Sequence, residues 1–198
     1  MKFLTFTDLH EDKDALLGLL KRAKQEDIEF LVTAGDLTVF GKSLRYVLKN
    51  LNDLGKKVYL IPGNHESDTM LNNVLSDYPF CINFNSKAIS LGNYVLLGFG
   101  GGGFSVEDAE FRKISRNWYS QYQDNKTILV THGPPFGTKV DILEGKNVGN
   151  RDFRKFIDRI KPKLVICGHL HEAAGKVDQI GDTKIINPGW DGMVVELN

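Results

Sequence analysis

The chain has 198 residues, 41% of them hydrophobic and 25% charged, the balance of an ordinary globular protein large enough to bury a core without disulfides, and most simply one domain over 1–198. Its 25 basic and 25 acidic side chains cancel, which argues against a dedicated nucleic-acid binder. No stretch approaches membrane-spanning length.

Short apolar, β-branched or aromatic runs at 2–7, 29–34, 57–61, 94–99, 127–131 and 163–167 read as strands. Between the first of them, Ala15, Leu16, Leu19, Leu20 and Ala23 fall at helix spacing. So do Leu44, Val47, Leu48 and Leu51, with Gly55 closing that helix. A helix over 106–121 carries Trp118 and Tyr119. Phe153, Phe156, Ile157 and Ile160 follow the i, i+3, i+4, i+7 pattern, with Asn150 placed to cap the helix and Pro162 to stop it. The alternation predicts an α/β fold with largely parallel strands. Segments 87–91, 183–186 and 193–197 lack intervening helices and suggest a second, more antiparallel sheet. The stretch 133–149 is weakly periodic and rich in turn residues, so it reads equally as a surface loop or as a lid. Cys81 and Cys167 lie outside any CxxC pattern, and Cys167 ends an apolar run as a small buried hydrophobe would. The opening residues turn polar too soon for a signal peptide, so a reducing, cytoplasmic setting is expected.

All five histidines sit in short motifs: Asp8-Leu9-His10, Gly63-Asn64-His65-Glu66, Thr131-His132-Gly133 and Gly168-His169-Leu170-His171, with Gly35-Asp36 adding a carboxylate. Asp8, Asp36, Asn64, His132 and His169 each fall just past the end of an expected strand, the edge where open α/β sheets bind ligands. Asp8/His10 and His169/His171 are i, i+2 pairs, which share a side if the segment is extended.

Imidazole nitrogens, carboxylate oxygens and an amide oxygen form the mixed donor set that holds catalytic metals. By ligand type, Asp8, His10, Asp36 and His171 would hold one cation, and Asp36, Asn64, His132 and His169 the other. Asp36 counts twice because one carboxylate can bridge ions about 3.5–4 Å apart. A water between them would ionise near neutral pH and attack as hydroxide. Two divalent ions, two carboxylates and one hydroxide leave a charge of about +1, which suits an anionic phosphoester. His65 is left over and reads as the leaving-group acid or a donor to a phosphate oxygen. Glu66 and Glu172 directly follow metal-site residues and are expected to orient imidazoles from behind.

The series D-x-H, G-D, G-N-H-E, H-G and G-H-x-H resembles the calcineurin-like metallophosphoesterase superfamily from Asp8 to His171. Thr131-His-Gly-Pro-Pro and Gly168-His-Leu-His-Glu-Ala resemble small prokaryotic members and the animal metallophosphoesterase-domain proteins, and Asn187-Pro188-Gly189 is similarly placed in many small members. The resemblance implies a four-layer α/β/β/α sandwich of two mixed sheets with a dinuclear site at the C-terminal edges of the strands. It implies Mn²⁺, Fe or Zn²⁺, with Mn²⁺ expected first, and hydrolysis of phosphomonoesters or phosphodiesters. Many small phosphodiesterases of the superfamily read G-N-C-D where this chain keeps His65 and Glu66.

A small phosphodiester, with cyclic nucleotides among the candidates, is the substrate class expected, with no stable nucleic-acid partner and no membrane. A recombination-repair type DNA nuclease and a non-catalytic scaffold on the same fold are the alternatives. Gly98-Phe99-Gly100-Gly101-Gly102-Gly103 formally satisfies GxGxxG, but the next strand ends at His132 and not at the acidic residue a ribose needs. A loop that lets backbone approach a ligand is the better reading. Trp190 either lines the cleft or packs.

Overall fold

The structure is a computed structural model that describes residues 1–25 and 27–197. The first half of the chain contributes β1 (Lys2–Phe6), α1 (Lys13–Ala23), β2 (Phe30–Thr33), α2 (Leu44–Asn52), β3 (Val58–Leu60), α3 (Asp68–Leu75) and β4 (Cys81–Asn83). Then follow β5 (Lys87–Leu91), β6 (Tyr94–Phe99), α4 (Ala109–Tyr122), β7 (Lys126–Thr131) and the short strands β8 (Ile142–Leu143) and β9 (Lys146–Asn147). The rest is α5 (Arg151–Ile160), β10 (Leu164–Ile166), a 3-10 turn at His171–Ala173, β11 (Val177–Ile180), β12 (Thr183–Ile186) and β13 (Met193–Glu196).

Strand side chains alternate between two destinations, and that alternation builds the layers. Phe3, Val32, Leu96, Ile128, Val130, Leu164 and Ile166 meet between the two sheets. Their neighbours Leu4, Phe6 and Leu31 face outward onto α1 and α2, where Leu16, Leu19, Val47 and Leu48 cover them. On the second sheet Val95, Leu97, Leu129 and Val165 face α4 and α5 through Phe111, Trp118, Phe153 and Ile157. Three apolar interfaces therefore separate four layers, helix, sheet, sheet, helix, as the resemblance implied.

The first sheet has the order β13-β1-β2-β3-β4, parallel except for β13. The second runs β11-β12-β10-β7-β6-β5, parallel at its centre with one antiparallel strand at each edge. The late segments thus divide between the sheets. Met193–Glu196 closes the first sheet against β1, while 87–91 and 183–186 join the second beside three strands that read as ordinary α/β elements. The second sheet is the more antiparallel of the two and takes two of the three late segments, whereas 193–196 pairs with β1 because strand pairing over long sequence separation is not visible in local pattern.

The helices start where their caps put them. Asn150 accepts from the Asp152 and Phe153 amides at 2.8 and 3.0 Å, Asp12 caps α1 and Asp108 caps α4. Lys161, at φ +51, ends α5 one residue before Pro162. Helix α3 and strands β4 and β11 were not expected. Of α3 only Leu71 is buried, so its apolar signal is thin. Segment 133–149 is held from inside: Asp141, fully buried, accepts from the Gly137, Thr138 and Gly149 amides and from Asn147 Nδ2 at 2.6–3.0 Å. Both cysteines are free and buried, and burial pushes the Cys81 thiol to about 12 and the Cys167 thiol up as well. Among the described residues no helix is long and apolar enough to cross a membrane.

Asn150 also donates to the Ser105 carbonyl at 2.8 Å, tying α5 to the segment after the glycines. Asn150→Ala should therefore cost about 1–2 kcal/mol, measured as a lower urea midpoint with an unchanged slope. An unaltered midpoint would contradict this account of the cap.

Candidate metal centre

The loops that leave β1, β2, β3, β7 and β10 meet at one edge of the sandwich, and their backbones bond to each other before any side chain is considered. The Asp8 amide donates to the Gly35 carbonyl at 3.0 Å and the His10 amide to the Asp36 carbonyl at 3.1 Å. The Gly168 amide donates to the His132 carbonyl at 2.8 Å. These contacts need bare backbone. A Cβ on Gly63 would collide with the Asp36 carboxylate, and one on Gly168 with Thr7 Oγ1 and Asp8 Oδ2. The glycines of G-N-H-E and G-H-x-H are there for close approach.

Asp8, His10, Asp36 and His169 all have positive φ, at +53, +44, +52 and +69. Each left-handed residue costs on the order of 1 kcal/mol or more, and such strain gathers at functional sites. The i, i+2 pairs therefore converge through left-handed turns, and the extended geometry expected for them is not what the chain uses.

Asp36 stands at the centre. Its Oδ1 accepts from the His65 amide at 2.9 Å, and its Oδ2 lies 3.4 Å from His132 Nε2, 3.8 Å from His10 Nε2 and 4.0 Å from His65 Nε2. On one side His10 and His171 bring their Nε2 atoms within 3.0 Å of each other and within 4.0 and 3.9 Å of Asp8 Oδ1. On the other side His132 Nε2 is 2.9 Å from Asn64 Oδ1, and the His132 and His169 rings meet edge to face. Donor atoms fall into three groups with all members within 4.8 Å: Asp8/His10/His171, His10/Asp36/His65 and Asp36/His132/His169. All eight expected residues, His65 included, are brought together.

The donors fit cations better than they fit each other. The His132 Nδ1–H donates to the Ala34 carbonyl at 2.8 Å, which directs the lone pair of a neutral ring at Nε2 toward Asn64 Oδ1. Two lone pairs 2.9 Å apart need a proton or a metal between them. The His10 and His171 Nε2 atoms, 3.0 Å apart, can share one proton as neutral tautomers or hold a cation between them. Among the described residues His169 Nε2 is buried without a hydrogen-bond partner, as is His65 Nδ1.

Protonation follows from this crowding. Burial pushes the Asp8 carboxyl upward, opposed by His132, with the Asp36 charge adding to the rise. Burial also works against the Asp36 charge, but its hydrogen bond and attraction to His132 outweigh it and hold that carboxyl below the ordinary range. For His132 burial favours the neutral ring, and Asp36 and Asp8 overcome it, leaving the imidazole above its usual value. Burial lowers His10, and it takes His169 down to about 4, so both are ready to ligate at neutral pH.

Glu66 and Glu172 do not hold imidazoles. Glu66, buried, accepts from the Thr38 amide and hydroxyl at 2.6 and 2.7 Å and from the Gly63 amide at 3.4 Å, so it clamps the loop after Asp36 to the loop carrying Asn64. Burial raises its carboxyl, with Thr38 opposing. Glu172 is exposed, and among the described residues it makes no hydrogen bond or ion pair. The Asn187-Pro188-Gly189 turn has a bracing role that its position alone did not disclose. Asn187 Nδ2 donates to the Leu170 carbonyl at 3.0 Å, and the Gly189 carbonyl accepts from the Thr7 amide at 3.1 Å. The glycine segment lies against the centre, with Gly103 beside His169 and Asn64. It is pinned by Gly100 N to Asn85 Oδ1 at 2.8 Å and Gly101 N to the Pro62 carbonyl at 2.9 Å.

Calcineurin-like phosphoesterase is the family whose pattern matches this chain, over residues 1–173, and the chain belongs to that family. It is a metallophosphoesterase, an enzyme of phosphoester hydrolysis in a family that works with a dinuclear divalent-metal site. The uncharacterized protein MJ1162 of Methanocaldococcus jannaschii is 30% identical over 95% of this chain and 88% of its own length. A 3′,5′-cyclic-nucleotide phosphodiesterase of Nostoc is 25% identical over 80% of this chain and 62% of its own. The solved structure of TT1561 from Thermus thermophilus superposes with a TM-score of 0.76 at 17% identity, over 96% of this chain and 90% of that one, and so shares the fold.

The raised His132 value contributes stability to the metal-free protein that is complete below its unfolded value, about 6.5, and is lost as pH rises through the higher folded value. A cation that binds through His132 must displace that proton. The rise in Tm on adding Mn²⁺ should therefore grow from about pH 6 to about pH 8. Thermal melts with and without the metal test this, and an increment that shrinks over that range contradicts it.

Proposed function

We propose that this chain hydrolyses a small phosphodiester, with Asp8, His10, Asp36 and His171 around one divalent cation and Asp36, Asn64, His132 and His169 around the other. The observation that carries the reading is the Asp36 carboxylate, with Oδ2 between His10 at 3.8 Å and His132 at 3.4 Å. Bound there, the cations would neutralise phosphoryl oxygens and make water acidic enough to supply a nucleophile. Mn²⁺ is the proposed metal, with Fe or Zn²⁺ as substitutes, as the resemblance to metallophosphoesterases implies; the carboxylate oxygens suit Mn²⁺ and the imidazoles Fe or Zn²⁺.

The protein's own groups do the rest. His65 is partly exposed, with Nε2 4.0 Å from Asp36 Oδ2, so a substrate can reach it. It donates a proton to the leaving alcohol oxygen or to a phosphoryl oxygen. The His65 amide holds Asp36 Oδ1 at 2.9 Å, which keeps the acid and the bridging carboxylate in register. Similarity to the Nostoc 3′,5′-cyclic-nucleotide phosphodiesterase supports a diester. The neutral charge balance supports a small substrate over a nucleic acid.

Asp36→Ala and His132→Ala should each abolish Mn²⁺-dependent cleavage of bis-p-nitrophenyl phosphate, and activity within a few-fold of the parent in either variant would sink the assignment. His65→Ala should lower kcat by about 10²–10⁴ on an alkyl diester and by much less on the aryl diester, because p-nitrophenolate leaves without a proton. Equal losses on both substrates would mean that His65 is not the acid.

A further inference from the structure

Three aromatic side chains stand exposed around the metal centre: Phe40 at 74%, Phe104 at 56% and Trp190 at 36%. They come from three separate loops, after β2, after β6 and before β13. Each ring lies against a different site imidazole. Phe40 is 4.5 Å from His65, Phe104 is 4.2 Å from His169 and Trp190 is 6.2 Å from His171, centroid to centroid. His10 sits 4.9 Å from both His65 and His171, so an unbroken arc of rings runs from Phe40 through His65, His10 and His171 to Trp190.

Packing does not account for these positions. None of the three belongs to the apolar clusters that hold the layers together. Phe40 also has φ +53, a conformation that a bulky side chain adopts only when the surroundings impose it. The surroundings do so: Glu66 fixes Thr38, and Thr38 Oγ1 accepts from the Gly41 amide at 3.0 Å, so Phe40 is held between two anchored residues. The clamp that follows His65 in sequence thus also sets the ring that faces it. The Phe104 loop is fixed by the Gly101 bond to Pro62, and Trp190 follows the braced Asn187–Gly189 turn. Apolar rings separated by polar imidazoles do not make the continuous patch that a protein partner covers. They suit a ligand whose charged part sits at the centre and whose flat part reaches the edge.

We propose that Phe40, Phe104 and Trp190 form a stacking rim that selects phosphodiesters carrying a planar aromatic ring, a nucleobase foremost. This rests on the phosphodiesterase reading above. Every base offers a π-face, so stacking favours base-bearing esters as a class without reading one base.

Two diesters with the same p-nitrophenolate leaving group test it on the Mn²⁺-loaded protein: the p-nitrophenyl ester of thymidine 5′-phosphate and ethyl p-nitrophenyl phosphate. The parent protein should show a KM at least about fivefold lower for the thymidine ester. The triple variant Phe40→Ala/Phe104→Ala/Trp190→Ala should lose that preference, and the three tyrosine replacements should keep it. No preference in the parent, or an undiminished one in the triple variant with a native Tm, overturns the rim. If the parent turns over neither ester, the phosphodiesterase reading fails and the rim is judged by binding alone. Isothermal titration calorimetry would then compare thymidine 5′-phosphate with ribose 5-phosphate on the parent and the triple variant. Tighter binding of the nucleotide that the triple variant loses upholds the rim, and equal binding overturns it.

Discussion

A buried carboxylate surrounded by imidazoles is the constraint from which the rest of this structure follows. Asp36 is 2% exposed and Asp8 3%, and two like charges so close and so far from water are costly without cations nearby. The chain meets part of that cost with amide donors, His65 N to Asp36 and His169 N to Asp8. It meets another part by raising His132. What remains among the described residues is His169 Nε2, buried without a hydrogen-bond partner, and the lone pair that a neutral His132 would set against Asn64 Oδ1, both of which divalent ions would relieve. Metal affinity, the pH response of the metal-free fold and the reactivity of the centre are three faces of one electrostatic imbalance.

The sandwich exists to aim this site. Parallel strands deliver their C-terminal ends to a common edge, and loops of only a few residues then carry Asp8, Asp36, Asn64, His132 and His169 into one cleft. Such short reach forces left-handed turns and glycines at the crossings. Glu66 extends the same logic outward, since one carboxylate locks the Asn64 loop to Thr38 and, through it, places Phe40 over His65.

Much of this was legible in the sequence, and for a physical reason. Metal donors must be particular residue types, and close approach must be glycine, so D-x-H, G-N-H-E and G-H-x-H survive as readable strings. Helices with a strong apolar stripe and a side-chain cap, such as α5 with Asn150, were equally plain. What escaped depends on partners distant in the chain. Met193–Glu196 pairs antiparallel with β1, and no local pattern says so. The expected orientation of imidazoles by Glu66 and Glu172 assumed that sequence neighbours of ligands serve the ligands, whereas Glu66 turns to Thr38 across 28 residues. Phe40 and Phe104 carry no motif at all; only their exposure beside the histidines marks them.

The most direct test of the account is an anomalous difference map from crystals of the Mn²⁺-loaded protein. The account predicts two peaks about 3.5–4 Å apart, both in contact with the Asp36 carboxylate, one also touching His10 and His171 and the other Asn64 and His132. A single peak, or two that do not share Asp36, would contradict it.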